Sequence, residues 1–281
     1  MLLWRKRYEN LSNMQGILFP SISPIAFSLG PIDIYWYGVT YVVSIVLGWW
    51  YARYLVRKNN YLLTTKDIDE FVVWAAVGVI VGGRLGYVLF YHPLEYLTKP
   101  WEILYFWQPG RSFHGGLLGV IIAGIWYCRR QRLPFLPLGD VACCAVPIGL
   151  FFGRIGNFIN AELFGRVTDM PWGVIFPHGG PLPRHPSQLY EAALEGALLF
   201  FVLFALDRWT DLRRTRPGLL MAVFMIGYGL ARMFVEIFRQ PDLHIGFLVG
   251  GTTIGQLLST PLLLIGVFLS WYAFNQKKVQ S

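Results

Sequence analysis

Charge is scarce in this sequence. Asp, Glu, Lys and Arg together make up 14% of its 281 residues, against about 25% in a soluble domain, which excludes an ordinary water-exposed surface. Cysteine is sparser still, at three residues. Cys128, Cys143 and Cys144 lie in or beside apolar segments with neither metal spacing nor a disulfide framework, so they are expected to be small packing residues. No HExxH helix, G-x-S-x-G elbow or GxxxxGK[ST] loop occurs, which argues against zinc peptidases, serine hydrolases and P-loop nucleotide binding. His92, His178, His185 and His244 show no ligand spacing, and neither metal nor cofactor is expected. The apolar stretch after Arg7 is broken by Pro20 and Pro24 and lacks a small-x-small end, so no cleavable signal peptide is expected. No fixed-period repeat appears beyond a faint echo between Gly83–Tyr87 and Gly153–Asn157.

What is abundant is apolar and aromatic: 55% hydrophobic residues, 17% aromatics and 11 Trp, a composition suited to helices ending in interfacial belts. Residues 34–52 and 245–275 carry no charge, and a membrane span needs about 20 predominantly apolar residues. The pattern predicts an all-α, polytopic integral membrane protein forming a single membrane domain over 1–281, with about seven spans at 34–52, 70–91, 113–128, 139–159, 188–206, 219–238 and 253–274. The Gly- and Pro-rich loop 160–187 is long enough for a small extracytoplasmic cap. Loop cations divide into a set of thirteen, around Arg53–Lys66, Arg129–Arg132, Arg208–Arg216 and Lys277–Lys278, and an opposite set of eight. The richer set belongs in the cytoplasm, which puts the amino terminus outside and the carboxyl terminus inside. Arg5, Lys6 and Arg7 fit that arrangement poorly, and residues 1–13 are expected to be an extension upstream of a native start at Met14. The formal charge of +8 is explained by these loops facing lipid headgroups, and no nucleic-acid partner is expected.

Three arginines remain inside spans. Arg84, Arg154 and Arg232 follow the starts of their spans by 13 to 15 residues, about 20 Å along each helix, in the outer half of a core about 30 Å thick. Tyr37, His114 and Glu191 occupy the first turns of oppositely directed spans, and Asn157 and Glu236 lie just beyond two of the arginines. An intramembrane arginine costs about 2.5–3.5 kcal/mol or more, so it needs a partner or a purpose. Each residue has an ordinary explanation as well. Arg232 and Glu236, at i,i+4, suit a structural ion pair, and Arg84 beside Gly82, Gly83 and Gly86 could bridge helices through carbonyls. His114 could be merely interfacial, and Glu191 and Glu195 suit counter-ions for arginines. A shared layer across six helices favours a cavity opening toward the outer leaflet.

Guanidiniums in low dielectric make a phosphate clamp, because the planar fork matches phosphate oxygens bidentately. The abundant phosphate at that depth is phospholipid. His114 opens the run HGGLLG, placing a proton-transfer residue where glycines allow close substrate approach. Such a pairing suits transfer of a lipid group whose phosphate-bearing part leaves. A transporter or flippase for an anionic headgroup is the alternative, although spans one and seven have inner halves nearly free of ionisable groups, which counts against a through-path. A non-catalytic lipid-binding scaffold would leave His114 without a role.

At these residues the chain resembles the prolipoprotein diacylglyceryl transferase family. The strongest match is Gly153 to Arg166 (GRIGNFINAELFGR), in which Ala161 stands where glycine is common. Tyr35–Gly38, Gly82–Tyr87, Ser112–Gly119, Arg184–Glu191 and Gly227–Arg232 continuing through Glu236 to Asp242 match as well. The resemblance implies transfer of the sn-1,2-diacylglyceryl group of phosphatidylglycerol to the lipobox cysteine of a prolipoprotein, in the bacterial cytoplasmic (inner) membrane. A thioether forms, glycerol 1-phosphate leaves, and the active site faces the outer leaflet. It also implies roles: phospholipid contact for Arg154, a second essential arginine in Arg232, and essential places for Tyr37, Asn157, Glu162 and Gly165. The catalytic histidine falls on His114. Phosphatidylglycerol binding is accordingly expected of Arg154, Arg232, Arg84, Tyr37 and Asn157, with Glu162, Gly165, Tyr228 and Glu236 in support. Because the attacking cysteine belongs to the substrate, none of this chain's own three should be required.

Overall fold

A computed structural model describes residues 16–58, 62–91, 93–105, 110, 112–241, 246 and 248–275. The expectation about residues 1–13 lies outside the described residues, as do His92, His244 and the terminal lysines. Among the described residues, seven helices of 17 residues or more follow one another: α1 Trp36–Lys58, α2 Thr65–Tyr91, α4 Phe113–Gln131, α5 Phe135–Ile159, α6 Ser187–Trp209, α8 Leu219–Val235 and α9 Ile254–Asn275. Short helices α3 Pro93–Thr98 and α7 Leu212–Thr215 and a 3-10 turn at Pro100–Leu104 fill connections. Each of the seven apolar segments anticipated from sequence falls on one long helix. Five of them, α1, α2, α5, α6 and α9, are long and apolar enough to cross a membrane.

Capping chemistry explains several helix starts. Thr64 and Asp67 exchange hydrogen bonds at the start of α2, the Thr64 amide donating to Asp67 Oδ2 at 2.6 Å and the Asp67 amide to Thr64 Oγ1 at 3.3 Å. Thr253 and Gln256 do the same at the start of α9. Ser112 caps α4 by accepting from the Gly115 amide at 3.2 Å. Arg57 and Lys58 end α1, and Arg129 and Arg130 end α4, where cations meet the negative pole of the helix dipole.

Large apolar side chains on the outward faces of these helices are exposed: Val42 on α1 is 62% accessible and Leu264 on α9 66%. A water-soluble protein does not expose contiguous faces of this kind, and hydrocarbon is the medium that covers them.

Packing divides the chain into two compact units. One comprises the chain through Gly48 together with Ala142 onward; the other is Trp49–Val141. In the second unit α2 packs on α4 along a seam of glycines. A side chain at Gly78, Gly82 or Gly86 would strike the backbone of Gly119 or Gly115, and one at Gly115 or Gly119 would strike α2 in return. The backbones themselves are in contact, as close helix crossings in membranes require. At the other end of α2, Arg53 pairs with Asp69 at 2.9 Å and the Trp49 indole donates to the same carboxylate at 2.7 Å.

In the first unit α8 packs on α9 and α6, again through glycine: Gly229 lies against Leu263, Gly266 against Ile226 and Gly227 against Leu199. Strand β1 (Ile17–Leu18) pairs in parallel with β4 (Val174–Ile175), and β2 (Ile25–Leu29) forms a hairpin with β3 (Ile32–Tyr35) around Gly30 at φ 61°. Phe19, Ala161, Val174 and Phe176 are buried together with Phe158 and Phe164 packed against them. This aromatic plug ties the 160–186 segment and the chain's early strand onto the end of α5.

Adding one methyl at Gly82 forces two backbones apart, because its nearest neighbours are the Gly115 carbonyl and Gly119 Cα. Gly82→Ala is expected to cost about 1–3 kcal/mol by overpacking, read as a lower unfolding midpoint in detergent, whereas Gly38→Ala, with open space around it, should change little.

Candidate active site

The first unit gathers the ionisable groups of α5, α6 and α8. Glu191 and Glu195 sit on α6, whose Ala192–Leu198 stretch is π-helical, a wide turn often found at functional sites. Both carboxylates are 0% exposed. Arg154 of α5 reaches Glu191 Oε2 through Nε at 2.8 Å. Arg232 of α8 pairs with Glu191 Oε1 through Nη1 and with Glu236 through Nη2. Arg239, one turn beyond α8, lies 3.5 Å from Glu191 and 3.9 Å from Glu236. Glu195 stands 3.8 Å from both Arg154 and Arg232.

Exposure within this cluster is graded. The Glu191 and Glu195 side chains are 1% and 0% exposed, whereas those of Arg154 and Arg232 are 18% and 11% exposed. The carboxylates are the deeper layer, and the arginine side chains are the more accessible one. Arginine keeps its charge in such a place, and a buried counter-ion offsets the cost of bringing it there.

Around the cluster, supporting residues fix the backbone. Asn157 Nδ2 donates to Glu162 Oε1 at 2.8 Å, and Arg154 Nη1 reaches Asn157 Oδ1 at 3.5 Å. Tyr37 on α1 shares a hydrogen bond of 3.0 Å with Tyr41, and its ring packs where a side chain on Gly156 would stand. Tyr228 lies one turn before Arg232 and stacks on Phe224 at 5.9 Å. Gly165 donates its amide to the His185 carbonyl at 2.8 Å; a side chain there would meet Phe238 and His185. Arg166 donates to the carbonyls of Arg239 at 2.9 Å and Glu236 at 3.1 Å, closing the end of α8. The sequence-predicted Tyr37, Asn157, Glu162, Gly165, Tyr228 and Glu236 thus share one unit with Arg154 and Arg232.

Arg84 and His114 belong to the other unit. From sequence Arg84 is expected to contact phospholipid; the structure gives its guanidinium to the protein instead. It is 2% exposed, donates to the carbonyls of Glu102 at 2.6 Å and Ile103 at 3.2 Å, and lies over the Tyr96 ring. That is the carbonyl-bridging role, with the 3-10 turn as its target. His114 is exposed in the first turn of α4, whose start is held to α2 by the Ser112 amide donating to the Gly83 carbonyl at 2.8 Å.

Several participants escape a sequence reading. Arg239 counts there only as a loop cation, although its i,i+3 spacing from Glu236 is a signal. Gln188 is wholly buried and donates to the Glu162 carbonyl at 2.5 Å. Gly255 lies where a Cβ would collide with the Glu236 carboxyl, so α9 can bring its positive N-terminal end against that group. Among the described residues no group of three His, Cys, Asp or Glu could hold a metal ion.

A helical protein with apolar faces suited to hydrocarbon and with arginines paired to buried carboxylates is, as a class, a polytopic membrane protein. The chain belongs to the prolipoprotein diacylglyceryl transferase family, whose model matches residues 24–272. Similar proteins named phosphatidylglycerol–prolipoprotein diacylglyceryl transferase occur in Paramagnetospirillum magneticum, 57% identical over 93% of this chain and 97% of the relative, and in Rhodospirillum rubrum, 52% identical over 89% and 91%. The protein of that name in Brucella anthropi is 47% identical over 94% of this chain and 96% of its own length.

Ala161 adopts φ 54°, a left-handed conformation that costs an L-residue roughly 1–2 kcal/mol. This explains the glycine expected at its place. Ala161→Gly should raise stability by about 0.5–1 kcal/mol after the added chain entropy of glycine is subtracted, seen as a higher unfolding midpoint. His185, in the loop before α6, has its proton affinity lowered by burial, partly opposed by Asp169. It hydrogen-bonds Tyr190 at 3.0 Å. A histidine protonated less readily when folded makes stability fall as pH drops below about 6.5. In acid titrations of the unfolding midpoint, His185→Gln should show a shallower decline than the wild type.

Proposed function

We propose that the chain transfers the sn-1,2-diacylglyceryl group of phosphatidylglycerol to the lipobox cysteine thiol of a prolipoprotein. The carbon–sulfur bond forms, the bond from that carbon to the phosphate oxygen breaks, and its electron pair leaves with glycerol 1-phosphate. The names of the relatives support substrate and product class. The observation that carries the site is the graded burial of the cluster, with wholly buried carboxylates and the more accessible side chains of Arg154 and Arg232. These two would hold the phosphate and stabilise the charge that grows on it as it leaves. His114 would accept the thiol proton, since thiolate is the attacking species. Tyr37 and Asn157 would orient the lipid head, and Glu162, Gly165, Tyr228 and Glu236 would hold the arginines and the 160–186 segment. Arg84 serves instead to position the 3-10 turn.

In this reading all seven long helices cross the bacterial inner membrane. The amino terminus and the 160–187 cap lie outside, the carboxyl terminus lies in the cytoplasm, and the site opens to the outer leaflet. The basic ends of α1 and α4 support that orientation.

Purified protein incubated with phosphatidylglycerol and a lipobox peptide should give the thioether product by mass. Arg154→Ala and Arg232→Ala should each lower the rate by about 100-fold or more, and His114→Ala by about 100- to 10,000-fold. Lys at either arginine should recover only part, because a point charge lacks the bidentate fork. Folded Ala variants of both arginines that keep wild-type rates would overturn the assignment.

A further inference from the structure

Among the described residues Glu195 is the least provided-for acid. It is fully buried, and neither carboxyl oxygen has a hydrogen-bond partner among the described residues. The nearest guanidinium nitrogens, on Arg154 and Arg232, stop at 3.8 Å, because their closer reach is taken by Glu191 and Glu236. Glu191 lies four residues earlier on the same helix and already serves three arginines. The groups acting on Glu195 are Arg154 from α5, Arg232, Arg239 and Tyr228 from the α8 segment, and Glu191 from its own helix. A buried carboxylate without hydrogen bonds, beside a second carboxylate, is among the costliest arrangements a protein can hold. Two acids that share one site relieve it when one of them keeps its proton.

Charge arithmetic gives that proton a use. Arg154, Arg232 and Arg239 face Glu191, Glu195 and Glu236, three cations against three acids. With every acid ionised the cluster is neutral and offers an incoming phosphodiester no net attraction. With Glu195 neutral it carries one net positive charge, matching the single negative charge of the lipid phosphate. We propose that Glu195 is kept as a neutral carboxylic acid and sets the charge of the arginine cluster to that of a lipid phosphodiester. The consequence for lipid binding rests on the proposed phosphate-holding role of the arginines; the protonation itself does not.

The test pairs spectroscopy with binding. In matched bilayers, the infrared difference spectrum between wild type and E195Q should contain a protonated-carboxyl stretch that shifts in heavy water and is missing from the variant. Phosphatidylglycerol affinity in nanodiscs should differ by less than about fivefold, since the amide and the neutral acid carry the same charge. Wild type without that band, or a larger change in affinity, overturns the proposal. If E195Q does not fold, E195M replaces it in both measurements, and failure of both neutral variants where E195D folds would overturn the proposal equally. The infrared reading requires no turnover, so it stands apart from the loss of rate that tests the arginines.

Discussion

An arginine in a hydrocarbon layer needs a partner, and for three of this chain's arginines that partner is Glu191. It is buried beneath Arg154, Arg232 and Arg239, three cations drawn from α5 and from the end of α8. Removing one partner from such a buried set leaves an uncompensated charge and costs several kcal/mol. The relative placement of α5, α6 and α8 is therefore tied to ion pairing at least as firmly as to apolar packing. The π-helical turn beginning at Ala192 belongs to the same constraint, because Glu191 just before it and Glu195 within it reach the same two arginines.

Glycine supplies the other half of the construction. Gly156 admits Tyr37 and Thr40 from α1, Gly196 admits the Phe151 backbone of α5, and Gly255 admits the Glu236 carboxyl at the head of α9. Each lets an element come close enough to the cluster to brace it without interposing a side chain. The 160–186 segment closes the arrangement from the end, through Arg166 on the last carbonyls of α8 and Gln188 on the Glu162 carbonyl. A site whose supporting shell is this close-packed holds its guanidiniums in place before any ligand arrives, so little reorganisation is needed on binding.

Much of this was legible in the residues. Apolar runs located the long helices because lipid imposes one length scale on any span. The Arg232–Glu236 pair follows from i,i+4 geometry on a helix, and the arginines at Arg154 and Arg232 stand out as charges in apolar stretches. Other features have no local signal. Arg154 and Glu191 are far apart in sequence, and only the packing of α5 on α6 makes them partners. Arg84 looks like its fellow arginines by depth and neighbours, yet the carbonyls of Glu102 and Ile103 accept from it, a contact that only the fold of the 3-10 turn brings about. Nothing in the sequence marks the π turn, and the left-handed backbone at Ala161 is signalled only by the glycine common at its place.

The same counter-ions that make the arginines tolerable also weaken them as anion receptors, since a guanidinium saturated by carboxylates has little field left to offer. The structure meets that conflict by position and by charge. By position, the carboxylates are the more deeply buried partners, and the Arg154 and Arg232 side chains keep some exposure. By charge, in the proposed reading, Glu195, whose oxygens no arginine hydrogen-bonds, keeps its proton. A membrane enzyme that must hold a singly charged phosphate and then release it more highly charged needs a cluster balanced near that value. A strongly positive site would bind the product harder than the substrate and hold on to it.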